Sequence, residues 1–251
     1  MFTPVQFRLT RFVLAAASAV LTSALAAQTE KSTEPVVAWH DVSNWDIEGR
    51  AWIDQERSRW FDRLPKKAEG SVTKKVWDLS RSPTGMVVRF ETDADTIWVD
   101  FSLMNASLNG VNMTPISSSG LDLYARGEGG EWRWVEAVGP RKQTHRGIIV
   151  EGLAPGHREY ALYLPLRNGI DSLKIGVPTV AKFEPLQPRE VAPIVFYGTS
   201  INHGASASRP GMVHTALLGR WFDRPVVNLG FAGNGRMDAA VGELMVDIDA
   251  A

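Results

Sequence analysis

The chain has 251 residues, a formal charge of −1 and no cysteine. A near-neutral balance with no basic stripe excludes a partner held by phosphate neutralisation, so no nucleic acid is expected. The absence of cysteine excludes disulfides and thiolate metal sites, and leaves an ordinary globular chain to be read segment by segment.

Arg8 and Arg11 precede the Ala-rich apolar stretch Phe12–Leu25, and Ala24-Leu25-Ala26 fits the small-x-small cleavage rule. The run is short for a bilayer span, so residues 1–26 read as a secretory signal peptide. Cleavage removes two arginines and no acid, leaving 25 − 28 = −3. The expected location is secreted or periplasmic, with no membrane association after cleavage. Residues 27–35 form a short polar linker.

Residues 36–190 read as an all-β domain. Alternating runs recur at Met86, Val88, Phe90; Ile97, Val99, Phe101; Tyr160, Leu162, Leu164; and Leu173, Ile175, Val177. Turn signals separate them at Ser82-Pro-Thr-Gly85, Gly127-Glu-Gly-Gly130 and Ala154-Pro-Gly156. This is the pattern of a sandwich or jelly roll. Arg167-Asn-Gly169 is expected to make a tight turn between the last two strands. The domain holds eight of the nine tryptophans: Trp39, Trp45, Trp52, Trp60, Trp77, Trp98, Trp132 and Trp134. Sandwich core accounts for most of them, and stacking on sugar rings is the alternative use of such faces. Asp122 interrupts an apolar strand pattern, and a carboxylate there needs donors, so it is expected to hold a neighbouring loop. Pro185, Pro188 and Pro193 make Leu186–Ala192 a stiff linker outside either sheet.

Residues 191–251 carry the chemistry. Ile194–Tyr197 is an apolar run without alternation, as in a strand buried on both faces of a parallel sheet. Gly198-Thr199-Ser200 breaks it sharply. A helix is expected over Gly211–Phe222, then a second strand Val226–Leu229, and together these form one βαβ unit. Ligands gather at the carboxyl ends of such strands. Ser200 sits at one such end, and Gly230, Gly233 and Gly235 lie just past the other. The glycine order is wrong for a dinucleotide fingerprint, and no acidic residue follows on a next strand. Asp238 reads as the N-cap of a last helix.

YGTSINHGASASRPG followed by NLGFAGNGRMD resembles the first two motif blocks of the SGNH (GDSL-like) hydrolases, in the branch that writes GTS-Ile for GDS-Leu. Gly120-Leu-Asp-Leu-Tyr124 is similar to the GxDLY motif of the β-sandwich that precedes the hydrolase domain in that branch. The resemblance implies a β plus α/β chain: an N-terminal sandwich, then an incomplete three-layer α/β/α domain with a parallel sheet. It implies ester hydrolysis through a Ser200 acyl-enzyme, with the N–H groups of Ser200 and Gly233 as oxyanion donors and no metal or organic cofactor. Asp122 then marks the junction of the two domains. Thr199, His203 and Asn234 are expected to line the cleft, with Asn234 stabilising its turn.

The family pattern also calls for a third block and a later D-x-x-H pair. None of His40, His145, His157, His203 or His214 has an aspartate three residues before it. No His/Asp/Glu cluster has metal-ligand spacing either. The sequence is therefore expected to be a C-terminally truncated hydrolase, inactive as it stands. A small-molecule or glycan ester is the expected substrate, with a carbohydrate ester preferred. A non-catalytic carbohydrate-binding sandwich and an acyltransferase using the same nucleophile are the alternatives.

Overall fold

A computed structural model describes residues 35–250. The expected signal peptide and all of the first linker except Pro35 lie outside the described residues. Residues 36–250 belong to one compact unit.

Nine strands form two antiparallel sheets. One has the order β1-β8-β3-β6, with β1 at Val37–Asp41, β3 at Ile97–Leu103, β6 at Thr144–Val150 and β8 at Ile170–Pro178. The other has the order β5-β4-β7-β2-β9, with β2 at Val87–Thr92, β4 at Leu121–Arg126, β5 at Trp132–Val138, β7 at Arg158–Tyr163 and β9 at Phe183–Pro185. The period-2 pattern does what it should. Ile97, Val99, Phe101 and Leu103 of β3 all point inward at 1% exposure or less. They meet Phe90, Leu121, Leu123, Tyr160 and Leu162 from the facing sheet. The sandwich is as expected. Arg167-Asn-Gly169 differs: β7 and β8 lie in different sheets, so the segment crosses between layers instead of closing a hairpin. Asn168 is buried there, accepting from the Asn105 N–H (3.0 Å) and donating to Asn105 O (3.0 Å) and Ser119 Oγ (3.1 Å). Leu186–Ala192 lies outside either sheet, as expected, and Pro185 just before it ends the edge strand β9, where a missing N–H is tolerated.

The parallel pair β10 (Ile194–Gly198) and β11 (Val226–Gly230) runs in register from Ile194 opposite Val226 to Gly198 opposite Gly230. Even-numbered Val226 and Asn228 face the helix α3 (His214–Trp221), against Gly219 and Thr215. A 3-10 turn at Pro210–Met212 occupies the start of the helix expected from Gly211. Odd-numbered Val227 and Leu229 face the other way, toward Val241 and Leu244 of α4 (Ala239–Met245). Asp238 holds the N-cap position of α4, although its side chain makes no capping bond.

Two strands and two helices are too few to cover both faces of a sheet. The missing cover comes from residues 52–77, which the sequence pattern had assigned to the sandwich. Trp52, Leu64, Ala68, Val72, Val76 and Trp77 form one core with Val227, Leu229 and Phe231. Part of this cover is α1 (Lys74–Ser80), capped by Thr73, whose hydroxyl accepts the Val76 N–H. Trp52 donates its indole N–H to Leu244 O at 3.1 Å. Trp52 and Trp77 thus fill the α/β core, not the sandwich core. The remaining short helix, α2 (Pro115–Ser119), precedes β4. Leu64 is fully buried at the centre of this second core. Leu64→Ala is expected to cost about 2–5 kcal/mol in urea unfolding, monitored by tryptophan fluorescence.

Candidate active site

The site grows from the carboxyl ends of β10 and β11. After Gly198 the chain turns tightly: His203 N–H donates to Thr199 O (3.0 Å), Gly204 N–H to Ile201 O (2.9 Å) and Ala205 N–H to Ser200 O (2.8 Å). Thr199 is exposed and Ser200 half-buried. Asn202 anchors the turn to its strand by donating to Tyr197 O at 2.9 Å. From the next strand Asn228 donates to Asn202 O (2.6 Å) and Thr215 Oγ1 (3.0 Å), and accepts the Gly230 N–H (2.9 Å). A carboxamide suits the place because it donates twice and accepts once.

The segment after β11 folds over this turn. Phe231 N–H donates to Gly198 O at 2.8 Å, and Asn234 N–H to Phe231 O at 2.7 Å. Two glycines permit the approach. A Cβ on Gly230 would stand 2.3 Å from His203 N, and one on Gly235 would stand 2.1 Å from Gly198 O. Between them Gly233 is exposed, has φ +70° and has open space where a Cβ would be. Asn234 is half-buried, its side chain donating to Ala232 O at 2.9 Å, so it braces the turn. Among the described residues the N–H groups of Ser200 and Gly233 donate to no protein acceptor.

His203 corrects the sequence reading. Expected to line the cleft, it is 1% exposed and turned into the protein. Its Nδ1 accepts the Ala232 N–H at 3.3 Å, so in the neutral ring the proton sits on Nε2, which donates to Ser82 Oγ at 2.9 Å. Arg63 Nη2 stands 3.3 Å from the same Nε2. Burial, then the charges of Arg63 and Arg167, hold this imidazole well below the usual histidine range. It is a neutral structural ring, not a base. The other four histidines are engaged elsewhere: His40 stacks on Phe183, His145 packs on Phe101, His157 lies 3.6 Å from Glu91, and His214 meets Phe196 edge-on.

Arg63 was not singled out in the sequence, since nothing in its local pattern marks it. Its guanidinium is 2% exposed and donates to Ser82 O (2.9 Å), Leu79 O (2.8 Å), Asn228 O (2.9 Å) and Gly230 O (2.8 Å). Burial, with a smaller push from Arg167, lowers it to about 9. It remains a cation at neutral pH.

Asp122 does what was expected of it. Leu121 and Leu123 point into the sandwich, so Asp122 and Tyr124 point out of the same strand toward the α/β part. Asp122 Oδ2 accepts the Gly211 N–H at 2.8 Å, and Oδ1 accepts from Trp134 Nε1 at 3.0 Å and faces Arg209 Nε at 3.3 Å. A Cβ on Gly211 would fall 2.4 Å from the Tyr124 ring. Burial pushes Asp122 up to about 6, against the lowering pull of Gly211, Arg209 and Trp134. Among the described residues, no three His, Cys, Asp or Glu side chains converge as metal ligands would.

The family model described as GxDLY, N-terminus of Esterase_SGNH_hydro-type, matches residues 37–183. That of the GDSL-like Lipase/Acylhydrolase family matches residues 191–251. Among solved structures, a protein described as a GDSL-like lipase from Bacteroides ovatus is 30% identical with a TM-score of 0.79, covering 86% of this chain and 62% of its own. The salicylyl-acyltransferase SsfX3 from a tetracycline biosynthetic pathway is 19% identical with a TM-score of 0.61, covering 87% and 58%; it shares the fold. The chain thus spans about 60% of the length of these two structures. No curated protein matches the sequence.

Two buried groups titrate with opposite consequences. Asp122 is raised when folded, so the folded state holds its proton between about pH 4 and 6 and loses stability as pH rises through that window. At 1.36 kcal/mol per pH unit this is at most about 3 kcal/mol. His203 is lowered, so the unfolded chain takes up its proton first and stability falls as pH drops below 6.5. In urea melts from pH 4 to 7, Asp122→Asn is expected to steepen the acid loss. His203→Gln is expected to flatten or reverse it.

Proposed function

This chain belongs to the SGNH-type esterase family with an N-terminal GxDLY domain, and on that premise we propose a serine ester hydrolase whose nucleophile is Ser200. One observation carries the reading. Ser200 stands where a strand breaks into a turn, a second turn is packed close to it through Gly230 and Gly235, and among the described residues the N–H groups of Ser200 and Gly233 donate to no protein acceptor.

Ser200 Oγ attacks the ester carbonyl, and the oxygen that gains charge takes hydrogen bonds from the two N–H groups. The alcohol leaves, and water then cleaves the acyl-enzyme. The serine proton needs an acceptor, and a serine without one is a weak nucleophile. His203 is not that acceptor, since its Nδ1 and Nε2 are committed to Ala232 and Ser82. Among the described residues no histidine is hydrogen-bonded to Ser200 Oγ, and residues 1–251 alone are expected to turn over slowly.

The substrate class we propose is a carbohydrate ester outside the cytoplasm. The leader-like residues 1–26 support the location. The half-exposed Trp134, stacked on Arg209 at 4.9 Å near the end of the Ser200 loop, supports a ring-bearing alcohol.

In the polypeptide expressed to its natural stop codon, Ser200→Ala is expected to lower p-nitrophenyl acetate hydrolysis by at least about 10⁴-fold with an unchanged melting temperature. Retention of activity within tenfold would overturn the assignment. The 251-residue chain is expected to hydrolyse the same ester no faster than its own Ser200→Ala variant.

A further inference from the structure

Between α3 and the outer face of the five-stranded sheet lies a cavity that ester cleavage does not use. Its apolar lining joins the small residues Ala161 of β7 and Ala216 and Gly219 of α3 with Val87, Trp132, Tyr163 and Val226. Against that wall stand four arginines, Arg89, Arg189, Arg220 and Arg224, and a single carboxylate, Glu48.

Two of the arginines are already matched. Glu48, Arg89, Glu159, Arg126, Asp223 and Arg189 form a closed ring of ion pairs, alternating in sign, each in contact with the next at 2.5–3.2 Å. Three cations and three anions leave the ring neutral. Glu48 is saturated within it, accepting from Arg89 and from both Nε and Nη2 of Arg189. Arg220 and Arg224 stand outside the ring, with no carboxylate in salt-bridge range among the described residues. Arg224 donates Nη1 to Ala192 O at 3.0 Å. Arg220 stacks on Tyr124 and Tyr163 and donates Nη2 to Gly211 O, while its Nη1 is buried with no acceptor among the described residues. A buried charged donor without an acceptor is a costly arrangement in a chain that satisfies most of its polar groups.

We propose that this cavity binds a small carboxylate anion at Arg220 and Arg224. The charge is set by two cations that the neutral ring does not balance. The size is set by the void, about 30 Å³ of space for the centre of a water-sized sphere, room for one or two waters or one flat anion. A carboxylate presents two acceptors in the plane of a guanidinium fork, and a short alkyl group would lie against Ala161, Ala216 and Gly219.

The test is thermal unfolding and titration calorimetry of the purified chain with sodium acetate at fixed ionic strength, with chloride and phosphate as comparisons. A saturable rise of several degrees with acetate alone is expected. Arg224→Gln, which keeps a donor for Ala192 O, should abolish it, as should Ala216→Val, which fills the void without changing charge. Ser200→Ala should keep it. An equal shift with chloride, a saturable shift with phosphate, or an acetate shift that survives both cavity variants overturns the proposal. Absence of any acetate heat or shift in the wild-type chain overturns it as well.

Discussion

The site depends on one guanidinium placed where water cannot reach it. Arg63 carries its charge into the interior without a carboxylate, and four backbone carbonyls take the place of a counter-ion. Those carbonyls are not scattered. Leu79 belongs to the last turn of α1, where the helix dipole is negative, and Asn228 and Gly230 belong to the end of β11. One planar fork therefore joins the segment between β1 and β2 to the strand that ends at the site. Removing such a cation would leave four buried acceptors with nothing to accept from, which is why its burial is tolerable only as a complete set.

The consequences run outward through His203. A fixed positive charge 3.3 Å from Nε2 makes a second cation there unfavourable, and burial acts in the same direction. The ring stays neutral, and a neutral ring has one accepting nitrogen to offer the Ala232 N–H. That bond fixes the residue next to Gly233. From the other side Asp122 grips Gly211, at the far end of the same loop, while Arg220 holds the Gly211 carbonyl. The Ser200 loop is thus held at both ends by groups from the N-terminal part of the chain. This gives the GxDLY strand a physical role: alternation sends its leucines into the sandwich and its aspartate and tyrosine onto the loop.

Much of this was legible in the sequence, and what escaped has identifiable causes. Period-2 alternation at Ile97, Val99 and Phe101 reports directly on burial, and the apolar runs at Ile194 and Val226 report on a strand covered twice. Gly230 and Gly235 could be seen to flank Gly233 by counting. Their reason, contact with His203 N and Gly198 O, is tertiary. Residues 52–77 escaped because their apolar side chains follow neither period; Trp52, Leu64 and Val76 gain meaning only against β11. Arg63 escaped for the same reason, since the acceptors of its hydrogen bonds are backbone carbonyls that any sequence supplies. His203 misled because a polar ring near a serine reads as cleft chemistry until its surroundings are known.

These features bear on how charge is handled at the rim. A reaction that develops negative charge at Ser200 needs donors that do not have to reorganise. On the proposed reading the donors are two N–H groups, and both belong to turns whose freedom has been removed, one by Asn202 and Asn228, the other by His203 and the close-packed glycines. Beneath the second turn lies the buried charge of Arg63, which donates to Gly230 O and so opposes any tilt of that strand end away from the first. Because the interior screens this charge weakly, its field favours an anion at the rim and disfavours a proton on His203. The same cation thus keeps the histidine in its accepting form and leaves the rim ready for a negative oxygen.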